Sequence, residues 1–289
     1  MIHAYPNRAT VMHDSPQPTH MFRDRGYEFM TTTPERTAVD PYAAVLLAEN
    51  DRLAALLATA DPATPVPTCP GWSLLQLLRH VGRGHRWAAR MVATGATEAL
   101  DPREVPGGKP PEGGPEVAAQ WLRDGATELL DAVVAAGPTA PVWTFTGPRP
   151  SAWWVRRRLH EATVHRADAA VALGAPFPID PQVAADGVSE WLGLLAARPA
   201  ADEPPLADGA TLHLHATDDV PDGAGEWMVR GAGGRVVWEH GHGKGDAAVR
   251  GTAADLLQGV TRRIPADDDR LQVLGDAGVW TGWLARTGF

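Results

Sequence analysis

The spacing of apolar residues predicts a series of helices between Pro41 and about residue 197. In the first helix, one broad face carries Val45, Leu46, Leu53, Leu56 and Leu57. Further helices are predicted at about 73–95, 116–136, 151–173 and 181–197, and segments rich in proline and glycine separate them. Four to five helices joined by long, broken connections indicate a helical bundle.

The helix predicted at 73–95 has clear end signals. Ser73 and Gln76 have the spacing of a capping box, and Trp72 before the cap can pack against Leu77 as a hydrophobic staple. The helix at 151–173 is predicted to stop at Gly174, with a proline two residues later.

The pattern changes after about residue 205. "TLHLHAT", "EWMVRG", "RVVWEHG" and "AAVRG" alternate apolar and polar residues between glycine turns and read as strands. A helix capped by Thr252, a further strand in "RLQVLGD" and a terminal helix in "AGVWTGWLAR" follow. We therefore predict an α+β protein with three regions: a disordered extension at 1–33, a helical bundle at 34–203 and a small α+β domain at 204–289.

Composition and charge narrow the class of protein. Of the 289 residues 44% are hydrophobic and 21% are charged, and the net charge of −9 argues against a general nucleic-acid binder. A lone cysteine, Cys69, excludes an internal disulfide and suits a reducing cytoplasm. No apolar stretch predicts a membrane span and no secretory signal is evident, so we expect a cytoplasmic protein. We also expect a monomer or a weak homodimer. Arginine is strongly preferred over lysine, a bias typical of GC-rich genomes such as those of actinobacteria.

The stretch "RRRLHEATVHRA" holds candidate metal ligands. Glu161 and His165 are four residues apart on a predicted helix, so both side chains lie on one face, about 5–6 Å apart at Cβ. His160 is rotated off that face by roughly 140°. The pair can chelate one divalent cation, although such pairs are also common on solvated helices. A catalytic zinc-type site usually takes three protein ligands.

Spacing alone does not identify the residue that would be the third ligand. His80 borders the apolar face of the helix at 73–95, and His85 faces elsewhere. His213 with His215, and His240 with His242, form two further pairs at i, i+2 spacing, but spacing fixes no carboxylate partner for either pair. A histidine at the edge of a bundle core is often a hydrogen-bonded core residue, and exposed pairs near turns are frequent.

Several segments together resemble the mycothiol-dependent maleylpyruvate isomerase family, which belongs to the DinB-like superfamily of helical bundles. They are "VPTCPGWSLLQLLRHVGRGHRWA" (66–88), "WWVRRRLHEATVHRADAAVALG" (153–174), "RGTAADLLQGVTRR" (250–263) and "LQVLGD" (271–276). The resemblance spans about residues 40–289. It implies a DinB-like four-helix bundle followed by a small C-terminal α+β domain.

The resemblance also implies a metal site. In this family a divalent metal, typically zinc, is held by a histidine of the second helix and a Glu-x-x-x-His pair of the fourth, and these positions match His80, Glu161 and His165. Asp168 is a candidate to orient a ligand, or else to form a surface salt bridge.

The function implied is a thiol-dependent isomerase or transferase that uses mycothiol, in which a zinc-bound thiolate attacks a small electrophile such as maleylpyruvate. The alternatives are a metal-dependent hydrolase that activates water and a non-enzymatic metal-binding or regulatory protein. Cys69, just before a helix N-terminus, is either a rival nucleophile or an inert buried thiol.

An anionic substrate needs a cationic partner, for which Arg83 and Arg157 are candidates. Arg250, Arg262 and Arg263 are further basic residues that could contribute from the C-terminal domain. The alternative interpretation is that these arginines form a solvent-exposed basic face without a role in binding.

Overall fold

A computed structural model describes residues 40–288, and the extension predicted at 1–33 lies outside them. The described chain forms seven α-helices: α1 (Ala43–Ala58), α2 (Leu74–Ala93), α3 (Pro115–Ala136), α4 (Trp153–Leu173), α5 (Pro181–Ala196), α6 (Ala253–Val260) and α7 (Ala277–Arg286). Its strands are β1 (Pro141–Val142), β2 (Arg149–Pro150), β3 (Thr211–Ala216), β4 (Glu226–Ala232), β5 (Arg235–His240), β6 (Ala247–Gly251) and β7 (Gln272–Gly275). The predicted α+β class is confirmed.

Local signals in the sequence fix several helix ends. Ser73 precedes α2, and its backbone N–H donates to Gln76 Oε1 at 2.6 Å. Gly174 ends α4 in the left-handed region at φ 61°, where a residue without Cβ is favoured. Thr252 caps α6 by accepting a hydrogen bond from the Asp255 backbone N–H.

Helices α1 to α4 pack on one another around an apolar interior. α2 packs on α3, while α1 contacts both α3 and α4. Close approach is possible at Gly82 and Gly84 of α2, because a Cβ there would collide with Trp121 of α3 and Arg158 of α4 respectively. The "GRG" sequence is thus a packing feature of the bundle.

The segment 137–150 between α3 and α4 contains the short antiparallel pair β1–β2, which the sequence indicated only as a break. It carries Trp143 and Phe145, whose rings contact Trp87 and Trp154. This aromatic cluster fills the end of the bundle from which α4 begins.

The C-terminal part contains a five-stranded mixed sheet in the order β5–β4–β3–β6–β7. Strands β3 and β6 are parallel and the other neighbours are antiparallel. α6 and α7 pack on β3 and β6, and their apolar residues share a core with the sheet.

Helix α5 packs chiefly on α6 and β5. Its Val188, Trp191 and Leu192 belong to the same core as the sheet. The predicted boundary between the bundle and the C-terminal domain, at 203/204, remains a prediction. It assigns α5 to the bundle, although α5 shares its core with the sheet.

Within residues 40–288, no helix combines the length and the apolar character that crossing a bilayer requires.

The bundle interior contains a charge pair between α1 and α4. Glu49 is 1% exposed and Arg166 is 2% exposed. The Arg166 Nε and Nη2 atoms both lie 2.8 Å from Glu49 Oε2. Two residues along α1, the exposed Asp51 pairs with Arg123 of α3 at 2.6 Å.

Glu49→Ala should lower the free energy of unfolding by about 3–5 kcal/mol, because it leaves the Arg166 charge buried without its partner. Asp51→Ala, on the same helix, should cost about 1 kcal/mol or less because its ion pair is solvated. Urea unfolding of both variants provides the comparison. Equal losses of unfolding free energy in the two variants would contradict the prediction that the buried Glu49–Arg166 pair matters more for stability than the exposed Asp51–Arg123 pair.

Candidate functional site

Three side chains from two helices converge at one point. His80 of α2 places its Nε2 2.8 Å from Glu161 Oε1, and His165 Nε2 lies 3.4 Å from the same oxygen. The two imidazole rings are 4.8 Å apart between centroids. The structure therefore brings together the three predicted ligands, with two nitrogens and one carboxylate oxygen as donor atoms.

The second oxygen of Glu161 is held by Arg157, one helical turn earlier on α4. Arg157 Nη1 also binds both oxygens of Glu190 on α5, at 2.6 and 2.7 Å. Burial alone would raise the pKa of Glu161, but the charge of Arg157 and the bonds with His165 and His80 hold that pKa well below its usual range. Glu161 is thus an anion whose other oxygen, Oε1, contacts the two histidines.

His165 is oriented by Asp168. Its Nδ1 lies 2.8 Å from Asp168 Oδ2, which leaves Nε2 directed toward Glu161. A carboxylate on the far nitrogen is the usual way in which a metal-binding histidine is fixed.

Asp168 is 0% exposed. It accepts bonds from Arg263 Nε and Nη2 at 2.9 and 3.0 Å, from Thr68 Oγ1 at 2.5 Å and from the Cys69 thiol at 3.5 Å. Burial alone would raise the pKa of Asp168, but the hydrogen bonds and charges of His165 and Arg263 hold it well below its usual range. Asp168 therefore bonds His165 and Arg263 together, and the Arg263 side chain is only 9% exposed, so this is not a surface salt bridge.

The same contacts affect His165. Desolvation lowers its pKa, but hydrogen bonds with Asp168, Cys69 and Glu161 raise it to about 10. Without a metal this imidazole is protonated at neutral pH, so a cation and a proton compete for Nε2.

The turn before α2 completes one side of the site. Trp72 lies with its ring centroid 5.0 Å from that of His80 and 6.0 Å from that of His165. Cys69 of the same turn is half-buried and hydrogen-bonded to Asp168. Its thiol lies behind His165, on the side of the carboxylate that positions this ligand.

A cavity of about 660 Å³ opens beside these residues. Its walls come from the turn before α2, from α2, α4 and α5, and from the segment around the end of α6. The lining includes Thr68, Cys69, Trp72, His80, His160, Glu161, Val164, His165, Glu190, Trp191, Leu257 and Thr261, with three arginines, Arg157, Arg262 and Arg263.

The arginines differ in what they are free to bind. Arg157 and Arg263 are engaged with the carboxylates of Glu161, Glu190 and Asp168. The exposed Arg262 pairs with no side-chain carboxylate of residues 40–288, and its Nη1 donates to the Leu284 carbonyl of α7 at 3.4 Å. Arg83 does not line this cavity; it donates to the Gly108 carbonyl at 3.1 Å and borders a separate cavity of about 490 Å³. Arg250 does not line the main cavity either.

The two neighbouring histidines have other partners. His160 Nε2 lies 2.6 Å from Asp186 Oδ2 on α5, away from the trio, as helical phase indicated. His85 is fully buried, with Nε2 2.9 Å from Asn50 Oδ1. Both are hydrogen-bonded residues of the interior.

The sequence alone did not identify Thr68 or Glu190 as parts of the site, and it offered Arg263 only as one of several arginines that could bind an anionic substrate. Thr68 stands in the same turn as Cys69, which was the one signal available for it. Along the chain, Glu190 lies 29 residues and Arg263 lies 102 residues from Glu161. Only the tertiary structure, in which α5 contacts α4 and the segment after α6 reaches Asp168, shows that they are the partners of Arg157 and Asp168.

The comparisons with known proteins, by family models and by solved structures, point to the same family. Residues 43–170 match the model of the mycothiol maleylpyruvate isomerase N-terminal domain, and residues 182–282 match that of the C-terminal domain of the same family. A crystal structure of mycothiol-dependent maleylpyruvate isomerase aligns with a TM-score of 0.54 at 14% identity, over 84% of this chain and 95% of that chain. A histidine-to-alanine mutant of such an isomerase gives 0.52 at 15% identity with the same coverage. These structures share the fold; no sequence among curated proteins matches significantly.

Asp168→Asn should lower the free energy of unfolding by about 3 kcal/mol or more, because Arg263 would lose its buried counter-charge. The matched control is Asp124→Asn, at an exposed carboxylate of α3 that accepts from the Gln120 amide; it should change stability by about 0.5 kcal/mol or less. Chemical denaturation of the chelator-treated proteins measures both. An Asp168→Asn protein as stable as the control would show that the Asp168 cluster does not hold these segments together.

Proposed function

Because the chain belongs to the mycothiol maleylpyruvate isomerase family, we propose that it is a mycothiol-dependent enzyme. It uses mycothiol either to isomerise a small electrophile such as maleylpyruvate or to form a conjugate between mycothiol and that electrophile. The observation that carries this proposal is the convergence of His80, Glu161 and His165 at the wall of a cavity large enough for small molecules.

The three donors fit a divalent metal of the zinc type. Two imidazole nitrogens and a carboxylate oxygen are a ligand set of catalytic zinc sites, which keep a further position open. When bound there, the metal would supply a positive charge that keeps a coordinated thiol in its thiolate form at neutral pH.

The surrounding residues prepare the site. Asp168 fixes the ring of His165 with its Nε2 toward Glu161, while Arg157 holds one oxygen of Glu161 and leaves the other facing the two histidines. Trp72 packs beside both imidazoles and shields them on one side. The ligands are therefore oriented before any substrate enters, which lowers the cost of assembling the reactive complex.

The proposed reaction needs a thiolate and an activated double bond. The sulfur forms a bond to one alkene carbon, and the π electrons move onto the conjugated carbonyl oxygen. Rotation about the resulting single bond is then free. Return of the electrons expels the thiolate and leaves the trans alkene, so isomerisation regenerates the thiol. In a transfer reaction the adduct instead takes up a proton from water and leaves as a thioether.

Arg262 is the arginine best placed to bind an anionic group of the substrate. It lines the cavity on the side of the C-terminal region, it is exposed, and within residues 40–288 it pairs with no side-chain carboxylate. Its one side-chain hydrogen bond among the described residues, from Nη1 to the Leu284 carbonyl, is long at 3.4 Å. A guanidinium recognises a carboxylate through two parallel hydrogen bonds.

His80→Ala and His165→Ala should each lose about one equivalent of zinc per chain and on the order of 100-fold or more in kcat/KM, since even the loss of a residue that supports a ligand costs 10–100-fold. Arg79→Ala, beside His80 on the exposed side of α2, should retain both. Metal analysis of tag-free protein and a maleylpyruvate assay with and without mycothiol give the result.

Full metal content in both histidine variants would refute the ligand assignment. Turnover without any thiol would favour the hydrolase, and metal binding with no turnover of electrophiles would favour a non-enzymatic protein.

Arg262→Ala should raise KM for a carboxylate-bearing electrophile by about tenfold or more while kcat changes less, because a charge-assisted hydrogen bond contributes about 1.5–3 kcal/mol. Arg262→Lys should recover part of the loss, and Arg270→Ala, at an arginine outside the cavity, should have no effect. Steady-state kinetics at saturating thiol measures these changes. An unchanged KM in Arg262→Ala would contradict the role.

A further inference from the structure

A second group of converging donors lies on the mixed sheet. His213 and His215 are two residues apart on β3 and therefore lie on the same face of that strand. Glu226, at the start of β4, is the cross-strand partner of His215. His242 follows β5. None of these four residues lines the 660 Å³ cavity.

All three histidines meet one oxygen of Glu226. The distances to Oε2 are 3.0 Å from His213 Nε2, 3.5 Å from His215 Nδ1 and 2.7 Å from His242 Nδ1. The rings are 5.3–6.1 Å apart between centroids and are steeply inclined to one another. One donor atom from each of the four residues lies within 4.8 Å of all the others.

These spacings are close to those of a coordination shell. Four ligand atoms at about 2.0–2.1 Å from a tetrahedral zinc ion are roughly 3.4 Å from one another. The three distances to Glu226 Oε2 lie on either side of that value. Small side-chain rotations would therefore place a cation between the donors without movement of the strands.

We propose that His213, His215, Glu226 and His242 form a second metal site, for a late divalent transition ion such as Zn²⁺. Imidazole nitrogens with one carboxylate oxygen suit zinc, cobalt, nickel or copper and are a poor set for Mg²⁺ or Ca²⁺, which prefer oxygen. With four protein ligands the shell is complete, so the site is structural rather than catalytic.

The fold gives this site a mechanical role. His213 is buried on β3, whereas His242 is 75% exposed in the glycine-rich segment "GHGKG" after β5. A metal would connect that segment to β3 and β4. His240 does not participate, because its Nδ1 lies 3.1 Å from the Glu226 backbone carbonyl and its ring contacts Trp227 and Trp238. The sequence presented His240 and His242 as a pair, and the structure separates them.

The test uses tag-free, full-length protein with His80→Ala as the background, so that metal at the first site does not contribute. Zn²⁺ titration by calorimetry, metal analysis and Co²⁺ absorption spectra are compared for this protein and for the same protein carrying His242→Ala or Glu226→Gln. His240→Ala is the matched control, since it removes a nearby imidazole outside the group. His213 is left intact because its substitution could disturb folding.

We expect one equivalent of zinc in the background protein, a tetrahedral Co²⁺ spectrum and a rise in Tm of about 5 °C or more at a hundredfold excess of free zinc over Kd. His242→Ala and Glu226→Gln should weaken binding at least tenfold and abolish the rise in Tm, while His240→Ala retains both. Equal affinity and stabilisation in His242→Ala, Glu226→Gln and the control would overturn the proposal, as would absence of zinc from the background protein.

The result is independent of the proposed enzymatic function. If His80→Ala still holds metal at the first site, the difference between His242→Ala and His240→Ala continues to report on the second site. In the wild-type background, His242→Ala should lose one equivalent of zinc and keep thiol-dependent turnover.

Discussion

The buried carboxylate of Asp168 is the interaction on which the arrangement of the site depends. It binds Thr68 and Cys69 in the turn before α2, His165 on its own helix and Arg263 after α6. One anion without solvent exposure thus connects three separate segments of the chain. Because a buried charge is tolerated only when its hydrogen bonds are complete, each partner constrains the others, and the ring of His165 is fixed as a consequence.

The rest of α4 follows the same rule. Arg157, Arg158, Arg166 and His160 are buried together with Asp168, so this helix lacks an ordinary division into an apolar and a solvated face. Each charge has a partner on another element: Glu190 on α5 for Arg157, Glu49 on α1 for Arg166 and the Val81 carbonyl of α2 for Arg158. Pairs of this kind contribute little net stability compared with apolar packing, but breaking one is costly. They therefore favour a single arrangement of α1, α2 and α5 around α4, which is what the proposed metal site requires.

The two proposed groups of metal donors are built by different means. At the wall of the cavity, three donors come from two helices, and one helical turn sets the separation of Glu161 and His165. On the sheet, alternation along β3 and the register with β4 place three donors, and the segment after β5 adds His242. The first group offers three donors beside open space, which would suit chemistry; the second offers four, which would suit a structural ion.

The sequence by itself determined the α+β class, most helix ends and the pair Glu161 and His165, because helical phase, capping residues and strand alternation are local properties. The family resemblance added His80, which spacing alone left open among several histidines. Only the tertiary structure placed His80 against Glu161, paired Asp168 with Arg263 and separated Arg83 from the cavity, because these relations depend on how distant segments pack. The same is true of the sheet: alternation put His213 and His215 on one face, but the register of β4 and the path of the chain after β5 decided that Glu226 and His242 join them.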